Sequence, residues 1–274
     1  FKQKTAYEIS TRDWSSDVCS SDLEPLADSV RLIVPDQRGF GGSGGEPPIT
    51  SIAGMADDAV ALLDALHVRE PAFVCGVSMG GYVAQHVAAR HPDRVRGLIL
   101  CDTKLDADTP EARSGREALA AKVGRVGTSI LADAMLGKLL AHSEAARGAP
   151  RRQAIEELLR QMIGRQRVET VQASLAAMGA RPDMTDAMRR LSVPTLLVVG
   201  EEDTFTPPET MQRMEAIIPG SRLLIVPRAG HLVPLEAAEV FNAAVREFLR
   251  EVAGGGDRAA APAARAAAWP SPPR

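Results

Sequence analysis

The stretch Ala72-Phe73-Val74-Cys75-Gly76-Val77-Ser78-Met79-Gly80-Gly81 decides the reading of this chain, because an apolar strand-like run enters a glycine turn at Ser78 and leaves it as the helix-like run Tyr82 to Arg90. In the order strand, G-x-S-x-G, helix, the pattern sets a serine on a turn sharp enough to expose its oxygen. Glycines on both flanks remove the side chains that would block the turn and the approach of a base. The helix that opens after the turn aims its positive end and unused N–H groups at the serine, the first being that of Met79. Ser78 is therefore the candidate nucleophile, and Met79 N–H the candidate donor to a developing oxyanion.

A serine nucleophile needs a base, and the base needs an orienting acid. Pro194 to Gly200 reads as a buried parallel strand followed at once by Glu201-Glu202-Asp203. Ser221 to Pro227 reads as the next strand, followed by Ala229-Gly230-His231 and an amphipathic helix from Leu235 to Val252. Both polar groups stand at strand ends, where the working loops of open parallel sheets gather.

With G-x-S-x-G-G, then G-x-x-D-x-x-x-P (Gly200 to Pro207), then G-H before a helix, the chain resembles the α/β-hydrolase superfamily. The resemblance implies an α/β-hydrolase fold: a mostly parallel, doubly wound sheet with a helical cap insertion. It assigns Ser78 as nucleophile, Asp203 as acid and His231 as base. The family spacing of glycine plus three selects Asp203 over Glu201 and Glu202, which read as solvent-facing. Asp102 follows the strand Val95 to Cys101, a position from which some members supply the acid, and it is the alternative. His67, His86, His91 and His142 lack the strand-end placement of His231.

The activity this implies is cleavage of a small carboxylic ester or lactone through an acyl-enzyme, with no metal and no cofactor. Serine at the elbow sets the chain apart from haloalkane dehalogenases and epoxide hydrolases, which resemble the family but use a carboxylate. Small carboxylesterases and enol-lactonases are the most similar members. Perhydrolysis of the haloperoxidase type and carbon-carbon bond hydrolysis are the alternatives on the same three residues.

Phe1 to Leu23 has no apolar periodicity and resembles translated adapter read-through, so residues 1–23 are expected to be a non-native arm. The first family-like element is Arg31 to Asp36, followed by Gln37-Arg38-Gly39-Phe40-Gly41-Gly42-Ser43. On this reading the first strands, and the loop that supplies the second oxyanion N–H, are missing ahead of Val30. The sheet is then expected to have a gap beside the strand that leads to Ser78, and the chain as written could be a catalytically incompetent fragment. Gly39-x-Gly41-x-x-Gly44 has the spacing of a dinucleotide fingerprint, but Glu46-Pro47-Pro48 follows where a helix would have to open, so no nucleotide site is expected.

Strand and helix signals alternate as in an open parallel sheet. Thr50 to His67 reads as a helix capped by Thr50 or Ser51, with Ile52, Met55, Ala59, Leu62, Leu63 and Leu66 in one stripe. Between Asp102 and Leu191 only helical signals occur, at Glu111–Val123, Ser129–Leu140, Ala154–Gly164, Glu169–Met178 and Met184–Leu191. Met135, Met162 and Met178 there read as core rather than as an acyl pocket. The expected organisation is an arm (1–23), the first part of the core (24–103), a cap (104–190), the second part of the core (191–252) and an Ala/Pro/Arg-rich disordered tail (253–274).

Composition narrows the partners. The 274 residues are 45% hydrophobic and 24% charged, and 32 basic against 35 acidic residues give a net charge of -3 with no basic stripe. Neither nucleic acid nor an anionic membrane is an expected partner, and no apolar run reaches the length of a membrane span. The expected partner is a small-molecule ester or lactone. Cys75 and Cys101 lie on apolar runs, and no zinc-ligand cluster occurs. A cytoplasmic location is expected, although a signal peptide could have preceded Phe1.

Overall fold

The computed structural model describes residues 7–11, 23–44, 48–49 and 51–254. Six strands, β1 (Tyr7–Thr11), β2 (Arg31–Ile33), β3 (Ala72–Val77), β4 (Val95–Cys101), β5 (Thr195–Gly200) and β6 (Arg222–Val226), form one sheet in the order β2-β1-β3-β4-β5-β6. Every neighbouring pair is parallel. The described helices are α1 (Ile52–Ala65), α2 (Met79–Arg90), α3 (Pro110–Val126), α4 (Ser129–Leu139), α5 (Glu144–Arg147), α6 (Arg152–Gly164), α7 (Val168–Gly179), α8 (Thr185–Arg189), α9 (Pro208–Ile217), α10 (Val233–Glu236) and α11 (Ala238–Gly254).

The pleat sorts the central strands onto two cores. Phe73, Cys75, Ile99 and Val198 face Phe241, Val245 and Phe248 of α11. Val74, Leu98, Leu100 and Leu197 face Met55 of α1, Val83 of α2 and Met211 of α9. Strands buried on both faces are apolar at every position, and β3 and β5 are buried throughout. Ser51, rather than Thr50, caps α1, its hydroxyl accepting from Gly54 N–H at 3.0 Å, and Leu66 at the end of the expected stripe is 38% exposed.

The expected gap in the sheet is corrected. β1 lies between β2 and β3, with Tyr7 opposite Arg31 and Glu8 opposite Phe73. Without it both neighbours would present rows of unpaired N–H and C=O groups, which cost free energy when buried. Tyr7, Ile9 and Thr11 repeat strand-favouring residue types at a period of two, a pattern hidden by the polarity of the surrounding segment. Leu23, the last residue assigned to the arm, is 1% exposed in the core. Residues 12–22, in the stretch ahead of Val30 where the loop for a second oxyanion donor was expected to be missing, lie outside the described residues, as does the tail beyond Gly254.

α3 to α8 lie between β4 and β5, and among the described residues no strand interrupts them. α5 and α9 were not anticipated, and the helix expected over Leu235 to Val252 is two, divided at Ala237, whose φ of -135° and ψ of 48° are not helical. Met162 is buried in the core, with Met135 and Met178 packed against it. No described helix is long and apolar enough to cross a membrane.

A buried ionic clasp joins the start of this helical segment to the turn between α7 and α8. Asp108, just before α3, accepts from Arg181, just after α7, at 2.7 Å, and pairs with Arg116 of α3; neither the Asp108 nor the Arg181 side chain is more than 2% exposed. The Arg181 guanidinium also lies 4.0 Å over the Tyr82 ring, tying the clasp to α2. Burial alone would raise the Asp108 pKa, but the two arginines bring it down to about 2. Its stabilisation is therefore complete above the ordinary carboxylate value of about 3.9 and is lost as pH falls towards about 2. Asp108→Ala leaves the buried Arg181 without its ion-pair partner and is expected to lower the unfolding free energy by about 3–5 kcal/mol in urea titrations at neutral pH. The difference from the parent should shrink in the same titrations repeated at acid pH.

Candidate active site

Ser78 links β3 to α2 with φ 53° and ψ -116°, a positive φ that only a tightly held non-glycine residue keeps. Its neighbours hold it. Ser78 N–H donates to Cys101 O at 2.9 Å, and Ser78 O accepts from Thr103 Oγ1 and from Gly81 N–H, both at 2.9 Å. A Cβ on Gly76 would collide with the carbonyl of Gly80, and one on Gly81 would sit 2.6 Å from the Thr103 side chain. The two glycines are thus required by packing as well as by turn geometry.

The other two candidates stand at the carboxyl ends of β5 and β6. His231 Nε2 is 2.8 Å from Ser78 Oγ, and His231 Nδ1 is 2.8 Å from Asp203 Oδ2. Asp203 is further held by N–H donation to Oδ1 from Phe205 at 2.8 Å and Thr206 at 3.0 Å, and by the Thr206 hydroxyl on Oδ2. Burial works to raise the Asp203 carboxyl, but the hydrogen bond and charge of His231, with help from Thr206, leave it below its ordinary value. Met79 opens α2, so its N–H has no acceptor within its own helix.

Asp102, the alternative acid, faces elsewhere. Its Oδ1 accepts from Gly200 N–H at 3.0 Å, and its Oδ2 accepts from Val233 N–H at 3.3 Å and the Cys101 thiol at 2.9 Å. Burial first, then the charge of Asp203, push its pKa well above the ordinary range. Asp102 braces the ends of β4 and β5 and the start of α10 rather than pairing with the imidazole.

Several neighbours of the site carried no signal in the sequence. The Phe205 ring lies 5.0 Å from the His231 ring and is still 41% exposed, and Thr206 reaches both Asp203 and His231. The expectation that Glu202 faces solvent is corrected: its side chain is 13% exposed and accepts three hydrogen bonds from His142 and Ser143. Glu201 is exposed, as expected. His86 is buried, and His91 pairs with Asp57 at 3.0 Å on the face away from the turn. The described residues contain no cluster of His, Cys, Asp or Glu able to hold a metal.

The glycine-rich loop that mimics a dinucleotide fingerprint is occupied by the chain itself. Asp36 Oδ2 accepts from Gly42 N–H at 2.9 Å, and a Cβ on Gly41 would strike that carboxylate. Gly39 O accepts from Thr170 Oγ1 and from Arg167 of the helical segment, both at 3.0 Å. A carboxylate placed where a phosphate would have to bind excludes one by charge and by space.

A parallel α/β sheet that presents a strand-turn-helix serine to a histidine and a carboxylate at its carboxyl edge has the architecture of a hydrolase, and the sequence model for the alpha/beta hydrolase fold matches residues 14–238. The chain belongs to the α/β-hydrolase fold family, among its ester hydrolases. The match begins at residue 14, ahead of Arg31, where the first family-like element is read in the sequence. The chain is 34% identical over 206 residues to a pimeloyl-[acyl-carrier protein] methyl ester esterase of Neisseria meningitidis serogroup B, covering 72% of this chain and 74% of that one. In structure it is similar to a thermophilic esterase from Thermogutta terrifontis, with TM-score 0.84 and 39% identity over 90% of both chains. It is also similar to the enol-lactonase from Burkholderia xenovorans LB400, with TM-score 0.81 and 26% identity over 92% of this chain and 94% of that one.

The packing at Gly81 yields a direct test. Gly81→Ala pushes a methyl group into Thr103, whose hydroxyl holds the Ser78 carbonyl, and is expected to destabilise the protein by about 1–3 kcal/mol in thermal or urea melts.

Proposed function

We propose that the chain hydrolyses small carboxylic esters or lactones through a serine acyl-enzyme, with Ser78 as nucleophile, His231 as general base and acid, and Asp203 as the group that orients His231. The observation that carries this reading is the unbroken chain of 2.8 Å contacts from Ser78 Oγ through His231 to Asp203 Oδ2. In the first step Ser78 Oγ bonds to the carbonyl carbon while its proton passes to His231 Nε2. The oxyanion forms beside the Met79 N–H, at the positive end of α2. Collapse breaks the acyl-oxygen bond, and His231 returns the proton to the leaving alkoxide. A water, deprotonated by the same nitrogen, then adds to the acyl carbon; collapse breaks the bond to Ser78 Oγ, which takes the proton back from His231 as the carboxylic acid leaves.

The relatives support the reacting bond rather than one substrate. One is named for a methyl ester and another for an enol-lactone, and the acyl-oxygen bond is common to both. The helices from residue 104 to 190 serve in this proposal as the cap that shapes the acyl pocket, and Phe205, exposed beside His231, forms part of its mouth. Cys75 and Cys101 lie buried on β3 and β4, where cysteine serves as a small apolar residue, and the cytoplasm is the location we assign.

Hydrolysis of short-chain p-nitrophenyl esters tests the assignment. Ser78→Ala and His231→Ala are each expected to lower kcat by roughly 10⁴- to 10⁶-fold, and the double variant little further, because the residues act as one unit. A fluorophosphonate should add its mass to the Ser78 peptide alone. Near-parental turnover by Ser78→Ala would overturn the proposal.

A further inference from the structure

We infer that Glu202 and Glu236 are positioning residues that bind a strap of the helical segment, Leu139–Ser143, across both loops carrying the charge-relay pair. The inference rests on reading Ser78, His231 and Asp203 as the reacting group. It stands on hydrogen bonds that converge from separate elements. Leu139 O accepts from the backbone N–H of His231 itself at 2.9 Å. Glu236, five residues past His231, accepts from Ala141 N–H at 2.7 Å through Oε2 and from Gly230 N–H at 2.8 Å through Oε1. Glu202, beside Asp203, accepts from His142 N–H and Ser143 N–H at 2.7 Å through Oε2, and from the Ser143 hydroxyl at 2.6 Å through Oε1.

Packing shows how tight the junction is. A Cβ on Gly230 would stand 2.5 Å from Ala141 N and 2.7 Å from Leu140 C, so strap and base loop meet backbone to backbone. Arg152 of α6 donates to Ala141 O on the strap's other side. The acid and base loops also touch each other, Glu202 N–H donating to Ala229 O at 2.9 Å. The strap therefore completes a closed circuit around the imidazole: acid loop to base loop, base loop to strap, strap to acid loop. Releasing one carboxylate opens the circuit and lets His231 drift from Ser78, which lowers kcat, whereas substrate binding need not change.

The two carboxylates differ in what can replace them. A glutamine at 202 keeps one carbonyl oxygen for the two N–H groups, and its amide can donate to the Ser143 hydroxyl. At 236 each oxygen faces an N–H, so an amide sets donor against donor. The experiment compares Glu202→Ala, Glu202→Gln and Glu236→Gln with the parent, using p-nitrophenyl ester kinetics, active-site titration with fluorophosphonate, and thermal melts. We expect Glu202→Ala and Glu236→Gln to lower kcat per titrated site by roughly ten- to a hundredfold with KM within a factor of about two, and Glu202→Gln to recover most of the loss. If Glu236→Gln fails to fold, the Glu202 pair alone decides. Parental kcat per titrated site in Glu202→Ala, a loss confined to KM, or no recovery in Glu202→Gln would overturn the inference. Its failure is told apart from failure of the underlying mechanism by Ser78→Ala: inactive Ser78→Ala with fully active Glu202→Ala rejects the strap alone, whereas active Ser78→Ala rejects the reading of the site.

Discussion

The backbone of Ser78 is the constraint on which the rest is built. A serine at φ 53° and ψ -116° is strained by about 1–3 kcal/mol, and it persists only because its surroundings leave it no alternative. Those surroundings come from three places in the chain. The carbonyl of Cys101 holds its N–H, the hydroxyl of Thr103 holds its carbonyl, and α2 starts from its far side. β4 must therefore lie beside β3 in one register, Gly76↔Leu100 and Val77↔Cys101, for the turn to exist. The parallel sheet is in this sense part of the site.

The same region shows how burial and partners divide charge between two carboxyls. The charge of Asp203 adds to the cost of ionising Asp102, and both carboxyls are nearly removed from water. Asp102 has two backbone N–H groups and a thiol, donors that moderate the cost of burial without offsetting it. Asp203 has the imidazole as well as backbone and hydroxyl donors, and its pKa moves the opposite way. Neighbouring groups pushed apart in this manner can hold different protonation states at one pH. Negative charge is thus directed to the carboxyl that faces the histidine, while the other braces the strands.

Legibility in the sequence followed the range of the forces. β4 was read over its full length, Val95 to Cys101, because a strand buried on both faces is apolar throughout, and α1 was read from an amphipathic stripe and a cap at Thr50 or Ser51. Ser78, Asp203 and His231 could be picked out as candidates because each stands beside a glycine-marked strand end that local pattern exposes. β1 was not, since its strand-favouring residues sit in a polar segment and it owes its place to the unpaired edges of β2 and β3. Glu202 was misread for a related reason. Its partners His142 and Ser143 lie about sixty residues away, and no periodicity in one chain marks a carboxylate that caps a distant loop.

The clasp and the strap together define what is modular in this protein. The helical segment looks exchangeable, hung between β4 and β5 with its own apolar packing. Its physical joints, however, are Asp108 and Arg181, where the chain entering α3 is locked to the chain leaving α7 and to Tyr82. Helices grafted inside those joints would inherit an intact hinge. A graft that discarded Leu139–Ser143 would strip the His231 backbone N–H of its acceptor, however well the foreign helices packed. Variation in this segment is therefore channelled into the faces of its helices, with the path of the chain through the strap held fixed.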